Sequence, residues 1–148
     1  MKLLNWIFKK NPAPASIPYQ PSHEDWKLFL KIWFSILPDE HKIKQNDVRL
    51  FEEIVSMGAN FKDLPYELWL KEWSVEYSRN PDIFSEEVCT KLSASTFSKR
   101  LRQTLLGFCS TLMESVTPTP DRQNQFKNIC NFSGLEPQDI PERCKEYL

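Results

Sequence analysis

Four side chains between positions 39 and 47 are of the types that bind hard divalent cations. Asp39, Glu40, His41 and Asp47 supply three carboxylates and one imidazole. Carboxylate oxygens are the ligands that Ca²⁺ and Mg²⁺ prefer, although the glycine spacing of an EF-hand loop is missing. The stretch predicts either a divalent-metal site or a solvated loop whose acids lie near a helix start, where the helix dipole favours them.

Nucleophiles and bases are not arranged for catalysis in this sequence. The two histidines, His23 and His41, neighbour no cysteine. The glutamate pairs at 52–53 and 86–87 would point about 100° apart on a helix, so neither pair could share a substrate. The three isolated glycines cannot form a phosphate-binding loop. We therefore predict a protein that is not an enzyme and has no cofactor, with a divalent metal as the alternative.

Aromatic residues recur at helical spacing in the middle of the chain. Trp69, Trp73 and Tyr77 follow one another at steps of four. Such a stripe usually belongs to a hydrophobic core. If these rings are partly exposed, they would instead line a groove for a partner peptide.

Residues 1–10 combine apolar and basic side chains in a way that suits a membrane surface. The apolar members are Trp6, Ile7 and Phe8, and the basic members are Lys2, Lys9 and Lys10. The apolar side chains could lie among lipid headgroups while the lysines face anionic lipid. The apolar run is too short for a signal peptide. The alternatives are a chain end without a role and an arm that packs on the domain.

The four prolines of residues 11–21 predict a semi-rigid linker, because each one removes a hydrogen-bond donor and favours extended backbone. The helical domain would then cover residues 22–148. Within it, four widely spaced cysteines form no C-x-x-C pair, which predicts buried free thiols of a reducing compartment rather than disulfides or a zinc site. They are Cys89, Cys109, Cys130 and Cys144.

The charge balance argues against nucleic acid as a partner, because the formal net charge is -1. The densest basic cluster, formed by Lys99, Arg100 and Arg102, is expected to be a solvated flank of a helix. No apolar run approaches the roughly 18 residues of a membrane span. We expect a cytoplasmic protein, peripheral at the inner face of the membrane.

Apolar residues recur every three or four positions through most of the chain, which predicts helices. The expected segments are 22–37, 48–57, 64–77, 83–92, 95–116, 121–132 and a weak one at 139–147. No strand alternation or hairpin turn is apparent. The prediction is an all-α, single-domain bundle of about six to seven helices.

The two halves of the chain are weakly similar at an offset of 75 positions. The matched pairs are Phe51 with Phe126, Trp33 with Phe108, and Leu37 with Leu112. They indicate two helical hairpins that share a core, with Trp33 and Phe108 both buried. Chance similarity between amphipathic hairpins is the alternative.

The segment from Leu37 to Gly58, together with residues 126–139, resembles the tellurite-resistance TerB-like family, which includes the amino-terminal region of DjlA-type co-chaperones. Asp39 matches the family's loop aspartate, Asp47 lies near its acidic helix start, and Glu40 stands where the family has glycine. The resemblance covers residues 26–140 and implies a helical bundle associated with envelope stress, membranes or metal ions. We expect a non-enzymatic interaction module that contacts another protein and an anionic membrane surface and is linked to a stress response. The alternative is a bundle that binds or senses a divalent metal.

Overall fold

A computed structural model describes residues 21–36, 64–115 and 119–148. These ranges contain five α-helices, which we number in chain order. They are α1 (His23–Phe34), α2 (Tyr66–Arg79), α3 (Pro81–Ala94), α4 (Lys99–Ser115) and α5 (Pro120–Phe132). Two 3-10 helices follow at Pro137–Asp139 and Glu142–Tyr147, and these ranges contain no strand. The predicted all-α, single-domain helical bundle is confirmed.

Polar side chains cap the starts of α1, α3 and α5. Ser22 and Asp25 form a capping box at the start of α1, in which each side chain accepts a hydrogen bond from the other residue's backbone N–H. Asn80 Oδ1 accepts from the backbone N–H of Ile83 at 3.1 Å, and Thr119 Oγ1 caps α5 in the same way.

Proline begins both α3 and α5, as Pro81 and Pro120. The sequence prediction started α3 two residues too late, at position 83, because it took Pro81 as a helix breaker. Proline fits the first helical position well, since its missing N–H would have no partner inside the helix there.

One other predicted helix start and one predicted helix type are wrong. The helix expected to begin at 95 begins at Lys99, because Ser95 is extended and Ser98 Oγ accepts from the backbone N–H of Leu101. The segment expected as a helix over 139–147 forms 3-10 turns instead, since Pro141 lacks an N–H and keeps Ile140 extended. The helix predicted at 48–57 lies outside the described residues.

The core lies where α1 contacts α2, α3 and α4. The Trp33 ring stacks on Phe108 with centroids 5.6 Å apart, and Phe29 stacks on the same Phe108 ring at 5.8 Å. Trp33 and Phe108 are both fully buried. The prediction that these two residues belong to the core is confirmed.

Arg102 of α4 is not the solvated residue that the basic cluster predicted. Its Nε donates to Phe97 O at 3.0 Å. Its Nη1 donates to Leu92 O at 3.2 Å and Ser133 O at 2.7 Å. Its Nη2 donates to the carbonyl of Ser95 at 2.7 Å and to its hydroxyl at 3.2 Å. All five guanidinium N–H groups therefore have acceptors.

These contacts show how α3 and α5 are oriented. Leu92 and Ser95 lie at the carboxyl end of α3, and Ser133 follows the last residue of α5. Because one guanidinium reaches both carboxyl ends, and Gln125 of α5 contacts Ser85 O of α3 nearer the helix starts, the two helices run parallel. Lys99 agrees better than Arg102 with the predicted solvated flank of the helix. Its side chain is 63% exposed, and its Nζ pairs with Asp139 at 3.0 Å.

Gly134 allows the chain after α5 to pass close to the Arg102 guanidinium, and substituting it tests this close approach. Its φ is +75°, and a Cβ built on it would lie 3.2 Å from Arg102 Nη1. Gly134→Ala should lower the free energy of unfolding by about 1–2 kcal/mol, the usual cost of a left-handed L-residue. Urea unfolding measures this, with Asn131→Ala at an exposed position of α5 as control. Equal stability of the two variants would contradict the expected strain.

Candidate functional site

A groove of about 680 Å³ runs between the parallel helices α3 and α5. Residues from 81–90 of α3 form one wall and residues from 121–132 of α5 form the other, while Ser35 and Tyr77 complete the lining. Most lining side chains are polar. They include Asp82, Ser85, Glu86, Thr90, Asp121, Arg122, Asn124, Gln125 and Asn128. The groove can therefore bind a ligand mainly through hydrogen bonds and charge.

Gln125 forms the floor of the groove and is only 6% exposed. Its Nε2 donates to Ser35 Oγ at 2.9 Å and lies 3.4 Å from Ser85 O. The same nitrogen lies 3.8 Å from Cys89 Sγ. One amide group therefore links α5 to α3 and to the turn that follows α1.

These contacts also settle which amide atom of Gln125 remains for a ligand. Ser85 O can only accept a hydrogen bond, so the atom that faces it is the nitrogen. The carbonyl oxygen, Oε1, accepts no hydrogen bond from any residue in the described part of the chain. This oxygen is not fully buried, and because Gln125 lines the groove, we infer that a ligand reaches it from there. Gln125 thus offers an acceptor to a donor on a ligand.

Arg122 is a second buried polar residue of the groove, with 5% of its surface exposed. Its Nε donates to Ile36 O at 3.2 Å, which directs the guanidinium toward the end of α1. This contact supplies a partner for a carbonyl near the carboxyl end of that helix. The residue therefore helps to fix the position of α1 against α5.

Three exposed carboxylates line the groove, at Asp82, Glu86 and Asp121. Within the described ranges, none of them forms an ion pair. Asp82 and Asp121 lie in the first turns of α3 and α5, where an acid stabilises the helix dipole. Glu86 lies beyond the first turn of α3, so this explanation does not apply to it.

Cys89 is the only thiol in the groove lining, and it is not poised as a nucleophile. Burial raises the pKa of Cys89 to about 11, although its hydrogen bond with Gln125 opposes the shift. A thiol with this pKa is almost entirely protonated near neutral pH, and the reactive form is the thiolate. The geometry of the groove supports binding rather than covalent chemistry at this position.

The other three cysteines form a buried group between α4, α5 and the second 3-10 helix. Cys144 Sγ contacts Leu106 O at 3.4 Å. A hydrogen bond with Cys144 and burial both raise the pKa of Cys130, and burial raises that of Cys109. All four cysteines are free and buried, as the sequence predicted.

The raised pKa values predict slow thiol chemistry. In the native protein at pH 8, the four thiols should react with a disulfide reagent such as DTNB far more slowly than a free cysteine does, because all four are buried and the pKa values of Cys89, Cys109 and Cys130 are raised. In denaturing urea, all four should react at the rate of unfolded peptides. A fast-reacting thiol in the native protein would contradict this prediction.

The aromatic stripe predicted as a possible groove is largely core. Trp69 is 7% exposed and Trp73 is 1% exposed, and their rings stack with centroids 6.1 Å apart. Tyr77 is partly buried, packs edge-on against Phe84 and lines the polar groove. Of the three side chains, only Tyr77 is available at a candidate binding surface.

Two other predicted sites lie outside the described residues. The candidate metal ligands Asp39, Glu40, His41 and Asp47 fall in one such range, and the membrane-contact residues of 1–10 fall in another. In the ranges that are described, no group of three or more His, Cys, Asp or Glu side chains could hold a metal ion. The metal-site hypothesis concerns 39–47 alone and stays a prediction.

The sequence analysis missed the groove residues Asp82, Glu86 and Gln125. A signal existed in the repeated pattern of a capping residue, proline and aspartate at 80–82 and 119–121, each followed by a polar residue four positions later. What the sequence lacked was the parallel packing of α3 and α5, which brings these two polar faces together.

Comparison of the chain with protein-family models, with curated proteins and with solved structures finds no match.

Proposed function

We propose that this protein is a non-enzymatic interaction module that binds a segment of a partner protein in the groove between α3 and α5. The observation that carries the proposal is Gln125, a buried side chain of the groove lining whose carbonyl oxygen accepts no hydrogen bond within the described part of the chain. Buried polar groups normally have hydrogen-bond partners, so an acceptor left open in a groove suits a ligand that supplies one.

The dimensions of the groove favour a short extended peptide as the bound segment. Residues 81–90 rise along α3 by about 14 Å, and residues 121–132 rise along α5 by about 17 Å. An extended chain advances about 3.3–3.6 Å per residue, so four or five residues would fill this length. Peptide N–H groups are donors of the type that Gln125 Oε1 and the asparagines of α5 can accept.

Site-specific photo-crosslinking in cells tests this proposal. A benzoyl-phenylalanine placed at Asn128 lies in the groove, whereas one at Gln123 is exposed on the other side of α5. We expect one defined protein adduct from position 128 and none from position 123. The adduct should decrease when Gln125→Leu, which removes the acceptor, is added to a protein that still folds.

Identical adducts from the two positions, or none from position 128, would contradict binding in the groove. A helical far-ultraviolet spectrum and a cooperative melt of each variant show that the protein is folded. Asn124 offers a second groove position, so one unfavourable crosslinker geometry does not decide the outcome.

We propose further that residues 1–10 hold the module at an anionic membrane surface. Their aromatic and basic composition supports this proposal. No helix in the described ranges is long and apolar enough to cross a bilayer. We place the protein, again as a proposal, in the cytoplasm at the inner face of the membrane, with a TerB-like role in a stress response that rests on the sequence pattern alone.

Vesicle sedimentation with the full chain tests the membrane proposal. The wild-type protein should sediment with vesicles that contain phosphatidylserine, since each lysine near the surface contributes about 1 kcal/mol. Trp6→Ala with Phe8→Ala should abolish sedimentation, and neutral phosphatidylcholine vesicles should bind weakly. If the double variant sediments as wild type does but melts at a lower temperature, residues 1–10 pack on the domain instead.

A further inference from the structure

We infer that the segment bound in the groove is basic and places an arginine or lysine side chain between Asp82, Glu86 and Gln125. This inference rests on the proposed function and adds the chemistry of the partner. It combines two independent observations, namely the charge of the groove walls and the unused acceptor on its floor.

The charged side chains that line the groove are three carboxylates and one guanidinium. Arg122 offsets one of the three carboxylates, so the charged side chains of the lining keep an excess of two negative charges. Glu86 in particular has no ion pair within the described ranges, and it lies outside the first turn, where the helix dipole would account for it. An opposite charge on a ligand would complement these walls.

Gln125 points to the same ligand chemistry from the floor of the groove. Its Nε2 is occupied by Ser35 and Ser85, and Oε1 is the atom left for a ligand. A carboxylate ligand has no proton to donate to that oxygen, whereas the guanidinium of arginine has five N–H donors and lysine has three. The floor therefore favours a cationic side chain and disfavours an acidic one.

The ends of the groove suit the apolar parts of such a segment. Phe132 lines the groove and is 44% exposed, and Tyr77 lines it from α2. Arginine and lysine carry long methylene stems that pack on apolar surface while the charged head stays polar. A sequence that alternates basic and apolar residues would place cations at the acids and apolar side chains at these rings.

Peptide binding measured by fluorescence anisotropy tests the inference on the full protein. The probe is a fluorescein-labelled peptide of seven residues that alternates arginine and leucine, and its counterpart has glutamine in place of arginine. We expect the arginine peptide to bind at least tenfold more tightly. Its affinity should fall as salt rises, since the screening length shortens from about 10 Å at 0.1 M to about 3 Å at 1 M.

Glu86 and Glu87 supply a matched pair of variants. Both are exposed glutamates of α3, but only Glu86 lines the groove. Glu86→Gln should weaken binding of the arginine peptide about two- to fivefold, the range of one exposed ion pair, and Glu87→Gln should leave it unchanged. Both variants change the net charge of the protein equally, so a nonspecific charge effect would weaken peptide binding to both variants by the same factor.

Equal binding of the two peptides, or equal effects of the two glutamate variants, would overturn the basic segment as the ligand. In that case a crosslinked adduct from Asn128 would still support a partner of other chemistry in the groove. The opposite outcome is also informative. If Glu86→Gln weakens peptide binding and Glu87→Gln does not, but position 128 gives no crosslinked adduct, the cation site is supported and a cellular protein partner in the groove is not.

Discussion

Arg102→Ala should lower the free energy of unfolding by about 3–5 kcal/mol, because it leaves carbonyls of several chain segments without donors. Within the described ranges Arg102 donates hydrogen bonds to Phe97, Leu92, Ser95 and Ser133, and four of these bonds go to backbone carbonyls. Each bond from a charged donor contributes about 1.5–3 kcal/mol, and the contributions are not additive. Urea unfolding followed by circular dichroism measures the loss.

Two variants serve as controls for Arg102. Lys99→Ala removes one exposed ion pair, with Asp139, from the same helix turn and should cost less than about 1 kcal/mol. Arg102→Lys keeps the charge but has three donors on a flexible stem instead of a planar fork, so it should recover only part of the stability. If Arg102→Ala costs no more than Lys99→Ala, the carbonyl contacts do not stabilise the fold.

Trp33→Ala should also cost about 3–5 kcal/mol, the usual range for a buried aromatic residue. Trp33 is fully buried and stacks on Phe108 at 5.6 Å with an interplanar angle of 10°. Leu68→Ala is the control, since Leu68 is 56% exposed on α2 and should change stability little.

A double-mutant cycle separates the ring contact from simple burial. With Phe108→Ala as the second variant, the coupling energy should be about 0.5–1.5 kcal/mol, the value of an aromatic pair beyond its buried area. A cost for Trp33→Ala that is similar to that of Leu68→Ala would show that the α1–α4 interface is not a principal part of the core.

Local sequence signals were sufficient to predict most helices and the core. The apolar periodicity of residues 22–37 correctly predicted a helix there, with Trp33 in the core. Pro81 was harder to interpret, because a proline after Asn80 can end one helix, begin another, or do both. Here Asn80 is the carboxyl cap of α2 and the amino cap of α3.

Long-range polar contacts could not be predicted in the same way. Arg102 meets Ser133 across 31 positions, and Gln125 meets Ser35 across 90 positions. Both contacts depend on how the helices are packed, and a single sequence does not specify this packing. Glu86 and Glu87 show the limit clearly, since the sequence gives two adjacent acids and only the packing of α5 on α3 makes one of them a groove residue.

The positions of Arg102 and Gln125 have a consequence for the rate at which the proposed partner segment would bind in the groove. Arg102 joins the carboxyl ends of α3 and α5, and Gln125 joins the same helices nearer their starts. The spacing of the two groove walls is therefore fixed in the free protein. Binding a segment would require little further ordering of these helices. Encounter with the groove, rather than a slow opening of the bundle, should then limit association, and partners should differ mainly in how long they stay bound.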